Sequence, residues 1–384
     1  FPHKLSLNIS SSMKSVKIKG ENIRILSGRQ VLWRMTLHYL DVMLMDSVYK
    51  LNGERSISAV YHLFKGKKSS QTIQDASLFQ LSKYFGCYPG FTRDQLNRSA
   101  IKLDEKHYIV KTGETFTVTD TGQRMLNQYF SEKPMPAYFH GAKYHDKAKV
   151  LWMRLSLLVQ VLSHHLAGSH QYVPIQRDVS VQSWTKSFLK QHHEKNKLSE
   201  ELHHELDKLL THISDQEALI FVYSLTSNER IGRTYQQMAE WLKEDVWYVY
   251  LLFWNVLHYF IHAAQKGEAQ LMQKLVGDLE FKRVLTTSTH KTLELVQKGF
   301  DIDQIAHIRS LKKATIEDHI VELSIHEPSF SIEPYVSEEQ QQAIHAVARE
   351  LQTNKMKLIK EKLEHPFTYF QIRLALTRMV KANG

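Results

Sequence analysis

The chain contains 384 residues, with 50 lysines and arginines against 40 aspartates and glutamates, which gives a formal net charge of +10. At ~100–200 residues per domain, this length predicts two or three domains, each with its own hydrophobic core. The single cysteine, Cys87, excludes an internal disulfide, a multi-cysteine zinc site and a cysteine-ligated iron–sulfur cluster, and it is typical of a reducing cytoplasm, where we expect the protein.

Most of the positive charge lies in the first third of the chain. Residues 1–44 carry a net charge of +5 and residues 45–130 carry +4, whereas residues 131–283 carry +1 and residues 284–384 are neutral. Residues 1–34 are rich in serine and lysine and lack helical periodicity, so we expect a disordered basic tail there. A phosphate-binding surface is therefore expected in the first third of the chain.

Residues 35–130 show the element order of a winged helix, with helices preceding a β-hairpin and one more helix following it. Ser56, Ser69 and Thr92 are each suited to cap a helix, because each precedes a run with helical apolar spacing. The helix after Ser69 is expected to continue to Phe85. Two β-type segments at 107–110 and 115–118 flank a glycine-containing turn, which predicts the hairpin, or wing.

The middle of the chain predicts a linker and then a helical bundle. Residues 131–147 contain two prolines and a glycine without periodicity, which indicates a linker or exposed connection. Residues 148–283 are mostly helical in pattern and are expected to form a helical core. Within them, residues 246–262 are strongly apolar but short and interrupted by Asn255 and His258, so we interpret them as a buried helix and expect no membrane contact.

Residues 284–384 predict a separate all-helical module. Asp301 opens a short helix, and a second helix is expected from Thr315 to Leu323 after a turn of a few residues. This is a helix-turn-helix pattern, in which the second helix usually lies in a DNA groove. The whole chain is thus predicted to be mainly α, with an N-terminal winged helix and its small β-hairpin, a central helical bundle and a C-terminal helix-turn-helix module.

Two groups of residues resemble known families. The C-terminal group resembles the helicase-associated helix-turn-helix domain of RecQ-type helicases, and the N-terminal group resembles the start of the YpbB-like proteins of Firmicutes, which end in that same domain. The residues concerned are Ser288-Thr289-His290, Gly299, Ile305-Ala306, Arg309-Ser310-Leu311, Thr315-Ile316-Glu317, His319 and Leu323, together with Leu51–Ser56 and Lys65–Asp75. The resemblance covers the chain from about Met35 onwards and implies a link to a RecQ-type helicase, but it brings no established activity.

The chain lacks the motor of such a helicase. Its only Gly-Lys pair near a serine is Gly66-Lys67-Lys68-Ser69, and a P-loop would need glycine in place of Tyr61 and serine or threonine in place of Lys68. Neither a nucleophile–histidine–carboxylate set nor a pair of catalytic carboxylates stands out. We therefore expect a protein that is not an enzyme.

Polar and basic side chains in the predicted winged helix are the first candidates for DNA contact. They are Lys65, Lys67, Lys68, Arg93, Gln95, Arg98, Lys102 and the wing residue Lys111. Arg98 and Lys102 are four residues apart and share a helix face, whereas Gln95 is suited to base readout. The alternative is a solvated charged face on a winged helix that binds protein.

A second basic group, formed by Arg309, Lys312 and Lys313, begins the presumed C-terminal recognition helix. Three acidic residues follow on that helix, namely Glu317, Asp318 and Glu322, and would repel phosphates. The sequence therefore leaves DNA binding and protein binding equally open for this module.

Other residue types predict no cofactor and no metal site. The 22 histidines form no HExxH motif, and scattered histidines are the favoured interpretation. The aromatic side chains between Trp241 and Trp254 could stack bases, but core packing is favoured by their apolar neighbours.

The leading functional hypothesis is a non-catalytic DNA-binding accessory protein that acts with a RecQ-type helicase in DNA repair or recombination. The alternative is a helix-turn-helix transcriptional regulator, which would bind a palindromic site as a dimer.

Overall fold

The computed structural model describes residues 37–169, 171–279, 285, 287–327, 329–363 and 366–382. The tail predicted at 1–34 lies outside these residues. The described residues form 18 α-helices and one two-stranded antiparallel sheet, which confirms the mainly α fold class.

Two compact units share these elements. The first contains the described parts of Phe1–Val42, Lys133–His140 and Tyr144–Glu280, and the second contains those of Met43–Glu132, Gly141–Lys143 and Phe281–Gly384. The second unit thus combines the predicted winged-helix region with the predicted C-terminal module. The sequence-based boundaries describe segments that are each expected to fold independently, and they remain predictions. These segments are 35–130, 131–147, 148–283 and 284–384.

The N-terminal region has the predicted order of helices, hairpin and helix. Its elements are α1 (Tyr39–Leu51), α2 (Ile57–Phe64), α3 (Ser70–Leu78), a 3₁₀ turn (Ser82–Tyr84), α4 (Arg93–Glu105), β1 (Ile109–Thr112), β2 (Thr115–Val118) and α5 (Asp120–Glu132). The predicted hairpin is confirmed, with Ile109 opposite Val118 and Thr112 opposite Thr115.

Capping explains where these helices begin. The Ser69 side chain accepts a hydrogen bond from the Thr72 amide, and Thr92 and Gln95 form a reciprocal capping box at the start of α4. Ser56 occupies the cap position of α2, but its side chain makes no capping bond. Helix α3 ends at Leu78 and does not continue to Phe85 as predicted, because the chain turns at Gln80, whose φ is +55°.

The C-terminal region of the second unit is a set of six helices. They are α13 (Thr287–Gln297), α14 (Ile302–Ile308), α15 (Lys313–His326), α16 (Glu338–Glu350), α17 (Met356–Lys362) and α18 (Tyr369–Ala382). Helix α15 lies at the centre, where Ile316, Ile320 and Leu323 share one apolar core with Ile344 and Ile372. It packs against α13, α14 and α18.

The N-terminal and C-terminal regions of the second unit are packed together. Helix α3 contacts both α15 and α18. The Glu54 carboxylate accepts hydrogen bonds from the Thr353 hydroxyl at 2.7 Å and from the Asn354 amide at 2.8 Å. Residues about 300 positions apart in the sequence therefore build one core, which local sequence patterns do not predict.

The first unit is helical. Its helices are α6 (Gly141–Leu166, whose first three residues belong to the second unit), α7 (Val179–Gln191), α8 (Lys195–Leu210), α9 (Asp215–Ser224), α10 (Tyr235–Leu242), α11 (Val246–Gln265) and α12 (Gln270–Val276). Helix α11 is buried along nearly its whole length, as predicted, and places Phe253 and Phe260 in the core. Among the described residues, no helix combines the length and the apolar character that crossing a bilayer requires.

Lys133–His140, which lie within the segment predicted as an exposed connection, belong to the first unit and pack against its helix α11. Phe139 is only 1% exposed. The backbone amide of Tyr138 donates to Asn255 Oδ1 at 2.8 Å, and that of His140 donates to His258 Nδ1 at 3.1 Å. The prolines remove helical periodicity from this segment, but its aromatic side chain and its amides hold it on α11.

Candidate DNA-binding surface

Two of the predicted basic residues converge on the ring of Tyr61 in helix α2. The Arg93 guanidinium lies 4.1 Å from the ring centroid, and the Lys65 ammonium lies 5.6 Å from it. Arg93 also donates a hydrogen bond to the Ser58 hydroxyl at 2.8 Å. Lys65 caps the end of α2 and Arg93 begins α4, so the fold brings together the ends of two helices.

Lys67 adds a third positive charge beside His62. Burial lowers the pKa of the His62 imidazole, and the charges of Lys67 and Arg93 lower it further. We call Lys65, Lys67 and Arg93 the basic cluster. All three side chains are exposed, and within the described part of the chain none of them has a carboxylate partner. Such a set of unneutralised cations is suited to bind phosphate groups.

The other polar candidates of the N-terminal region lie outside this cluster. Arg98 is paired with Asp94 one turn earlier on α4. Gln95 is half-buried, and its side-chain carbonyl oxygen accepts from the Thr92 amide at 2.9 Å, so it serves the helix cap. Lys102 is half-buried on α4, Lys68 is exposed after Lys67, and Lys111 is exposed on strand β1.

The C-terminal basic group is divided by the fold. Arg309 is half-buried and donates to the Ser288 carbonyl oxygen at 2.7 Å and to the Ser288 hydroxyl at 2.9 Å, and it also contacts Thr292. Lys313 is paired with Asp303 at 2.9 Å, and Lys312 is exposed at the cap of α15. Arg309 therefore holds helices together, and only the two lysines face solvent.

The presumed recognition helix α15 is enclosed by its neighbours. The residues of α15 that are exposed, and not half-buried or buried, are Lys313 and Ala314, in the first turn. Glu322, which was expected to repel phosphates, is fully buried, and its carboxylate accepts a hydrogen bond from the Thr289 hydroxyl at 2.8 Å. Seven of the 14 residues of α15 are buried, so half of the helix belongs to the core and its most exposed residues lie in the first turn.

Tyr61, His62 and Ser58 are the residues of this surface that sequence reasoning missed. The spacing of four residues between Tyr61 and Lys65 places them on one helix face and could have indicated that pair. The approach of Arg93 comes from a different helix, and no local signal indicates it.

The other candidates from the sequence were a metal site and a group of aromatic side chains that could stack bases. Within the described residues, no three histidine, cysteine, aspartate or glutamate side chains gather as ligands for a metal ion. The predicted core packing is confirmed for Phe253 and Trp254, whereas Trp241 is 44% exposed and lies 4.3 Å from the Arg233 guanidinium.

Comparison with known proteins agrees with the C-terminal architecture. Residues 288–376 match a helix-turn-helix domain family. No solved structure matches the chain. The chain is 50% identical over 349 residues to Protein YpbB of Bacillus subtilis (strain 168), a match that covers 90% of this chain and 99% of that relative. With identity at this level over almost the full length of both proteins, the chain belongs to the YpbB family.

Proposed function

We propose that this protein is a non-catalytic DNA-binding accessory factor that acts with a RecQ-type helicase in DNA repair or recombination. The observation that carries DNA binding is the basic cluster, in which three cations from two helix ends lie around Tyr61 and His62 and have no carboxylate partner among the residues that the structure describes. The helix-turn-helix domain at 288–376 supports the same ligand class. The helicase partner rests on the resemblance of that domain to the one in RecQ-type helicases.

The cluster would contact the phosphate backbone and not the base edges. Its members are two lysines and an arginine whose guanidinium lies over the ring of Tyr61. This contact positions the cation without neutralising its charge. Phosphate contacts give affinity and position but carry no sequence information. We therefore expect binding that depends strongly on salt and weakly on DNA sequence.

Fluorescence anisotropy on duplex, forked and single-stranded probes across a salt series tests this proposal. A variant with Lys65→Ala, Lys67→Ala and Arg93→Ala should bind on the order of tenfold more weakly, and the slope of log K against log salt should decrease by about 0.9 for each phosphate that is no longer neutralised. The matched control removes the same charge from exposed lysines of the first unit, with Lys186→Ala, Lys190→Ala and Lys197→Ala. DNA binding through the cluster is refuted if wild type does not bind at low salt, or if both variants bind alike.

The helicase partnership needs a separate test. A RecQ-type helicase purified with this protein after nuclease treatment would support a direct contact, because shared DNA would then not link the two. If the helicase no longer copurifies after nuclease treatment, the proposed direct partnership is refuted. The proposal that this protein binds DNA is not affected by that result.

A further inference from the structure

Two arginines of the first unit lie against the ring of Tyr223, near the end of helix α9. The Arg230 guanidinium is 4.3 Å from the ring centroid, and the Arg233 guanidinium is 5.2 Å from it. Burial lowers the pKa of Arg230, and the charge of Arg233 acts in the same direction, so the two cations are close enough to repel each other. Within the part of the chain that the structure describes, neither has a carboxylate partner. An anion placed here would relieve this repulsion.

The loop that carries the two arginines is held against the end of α9. The Arg230 guanidinium donates a hydrogen bond to the Val222 carbonyl oxygen at 2.8 Å. Gly232 approaches α9 so closely that an added Cβ would lie 2.1 Å from the Ser224 carbonyl oxygen. The cations are therefore held in place before any ligand arrives, which lowers the entropic cost of binding one.

Trp241 of helix α10 adds an exposed aromatic ring to these cations. It is 44% exposed, and its ring centroid lies 4.8 Å from that of Tyr223 and 4.3 Å from the Arg233 guanidinium. The Arg233 side chain makes no hydrogen bond to any residue that the structure describes, so its N–H groups remain available to a ligand. We call Tyr223, Arg230, Arg233 and Trp241 the arginine–tryptophan surface.

The carboxylates of this stretch do not neutralise the arginines. Glu229 is exposed, and Glu240 is exposed and accepts a hydrogen bond from Gln236 Nε2 at 3.0 Å. Neither is paired with an arginine among the described residues. With two arginines and Lys243 against these two glutamates, residues 229–243 carry a net charge of +1. The surface therefore favours an anionic ligand.

The exposed ring restricts which anionic polymer fits. Guanidinium groups bind phosphate oxygens, and an exposed indole stacks on the flat face of a base. A duplex keeps its base faces stacked inside, so only a single strand presents phosphates and open base faces together. The carboxylates of an acidic peptide would engage the arginines but would leave the indole without a flat partner.

We propose that the arginine–tryptophan surface binds single-stranded DNA, with phosphates at Arg230 and Arg233 and one base stacked on Trp241. This inference rests on the proposed function, which makes DNA the ligand, and adds a contact in the first unit. The basic cluster of the second unit remains the contact for duplex DNA. A forked substrate thus offers a ligand to each surface.

Fluorescence anisotropy of the full chain with a labelled oligothymidylate of about 20 nucleotides, longer than a typical single-strand site, tests the proposal. Trp241→Ala should weaken this binding on the order of tenfold, whereas Trp241→Phe, which keeps a ring, should retain most of it. Arg233→Met should reduce the slope of log K against log salt by about 0.7, the value for one phosphate of a single strand. All three variants should bind a duplex of the same length like the wild type.

Tyr369→Ala is the matched control. Tyr369 lies in the second unit, is 49% exposed and has the Lys360 ammonium 4.5 Å from its ring centroid, so it too is an exposed ring beside a cation. This variant should bind the oligothymidylate like the wild type.

Several results would overturn the proposal. They are the absence of oligothymidylate binding by the wild type at low salt, equal binding by wild type and Trp241→Ala, and an equal loss of duplex binding in Trp241→Ala. Binding of polyglutamate that depends on Trp241, without binding of the oligothymidylate, would assign the surface to an acidic protein instead. Failure of the proposed function is seen in a different measurement, as equal duplex binding by the wild type and by the variant of the basic cluster.

Discussion

The Arg309 guanidinium donates a hydrogen bond to the Ser288 carbonyl oxygen 2.7 Å away, and so ties the end of helix α14 to the first turn of α13. Further bonds to the Ser288 hydroxyl and to Thr292 complete this attachment. Burial lowers the pKa of the Arg309 guanidinium, a direction that reflects its partial removal from water. Arg309, which the sequence predicts to contact DNA phosphates, thus stabilises the packing of two helices in the helix-turn-helix domain.

Replacing Arg309 with alanine should lower stability and leave the DNA affinity of the folded protein unchanged. Several hydrogen bonds from a charged group are removed, so we expect a cost of ~1–3 kcal/mol in urea unfolding. Lys312→Ala, which removes a neighbouring exposed charge, should cost less than ~0.5 kcal/mol. A stable Arg309→Ala variant with weakened DNA binding would show that this residue contacts DNA after all.

Local patterns predicted most elements of this fold. The caps at Ser69 and Thr92 and the glycine turn between β1 and β2 depend on residues close together in sequence, and the structure has helices and a hairpin at those places. The buried apolar helix α11 was predicted for the same reason.

What could not be predicted depends on tertiary contacts. The burial of α15 requires α3, which is more than 200 residues earlier in the chain, and the role of Arg309 requires Ser288. Only one of the two contacts with Tyr61 could have been predicted from the sequence. Lys65 is one turn away on the same helix, whereas Arg93 comes from another helix.

The helix-turn-helix region should lose stability as the pH falls from about 6.5 towards 4. Burial, and then the charge of Arg309, lower the pKa of His319 from 6.5 to about 4. The Nδ1 atom of His319 faces the Thr292 hydroxyl at 2.8 Å and the Arg309 guanidinium at 3.3 Å, which requires a neutral imidazole that accepts. The unfolded chain takes up this proton at a higher pH than the folded one, so the contribution of His319 is complete above pH 6.5 and is lost on acidification.

A His319→Asn variant separates this effect from those of other groups. Asparagine keeps an acceptor near the position of Nδ1 and does not titrate. Urea unfolding at several pH values between 4 and 7 should show a weaker pH dependence for the variant than for wild type. An identical pH dependence would show that His319 does not contribute to acid sensitivity.

Cys87 should resist thiol reagents in the native protein. Its side chain is 1% exposed, and burial raises the pKa of the thiol well above its usual value, so both access and thiolate formation are suppressed. An aromatic disulfide reagent should label native protein slowly and should label one equivalent promptly in denaturant, because the chain has a single cysteine. Prompt labelling of the native chain would mean that this part of the fold opens readily.

Gly66 should be intolerant of alanine, because it combines a left-handed backbone with a close approach. Its φ is +68°, and an added Cβ would lie 2.9 Å from the Gly86 Cα, a backbone atom that cannot move aside. Gly113 in the wing has a similar φ of +60° but nothing within 4 Å of such a Cβ. Gly113→Ala therefore measures the backbone strain alone, expected to be ~1 kcal/mol.

The excess cost of Gly66→Ala over Gly113→Ala in urea unfolding is the cost of the steric contact, which we expect to reach ~1–3 kcal/mol. Gly66 lies between Lys65 and Lys67, so relief of the clash by movement of this turn would displace two members of the basic cluster. Gly66→Ala should then also weaken DNA binding, whereas Gly113→Ala should not change the contribution of the cluster. Equal costs for the two substitutions would show that the turn can move away from Gly86 without loss, and the close approach would then not fix the position of the cluster.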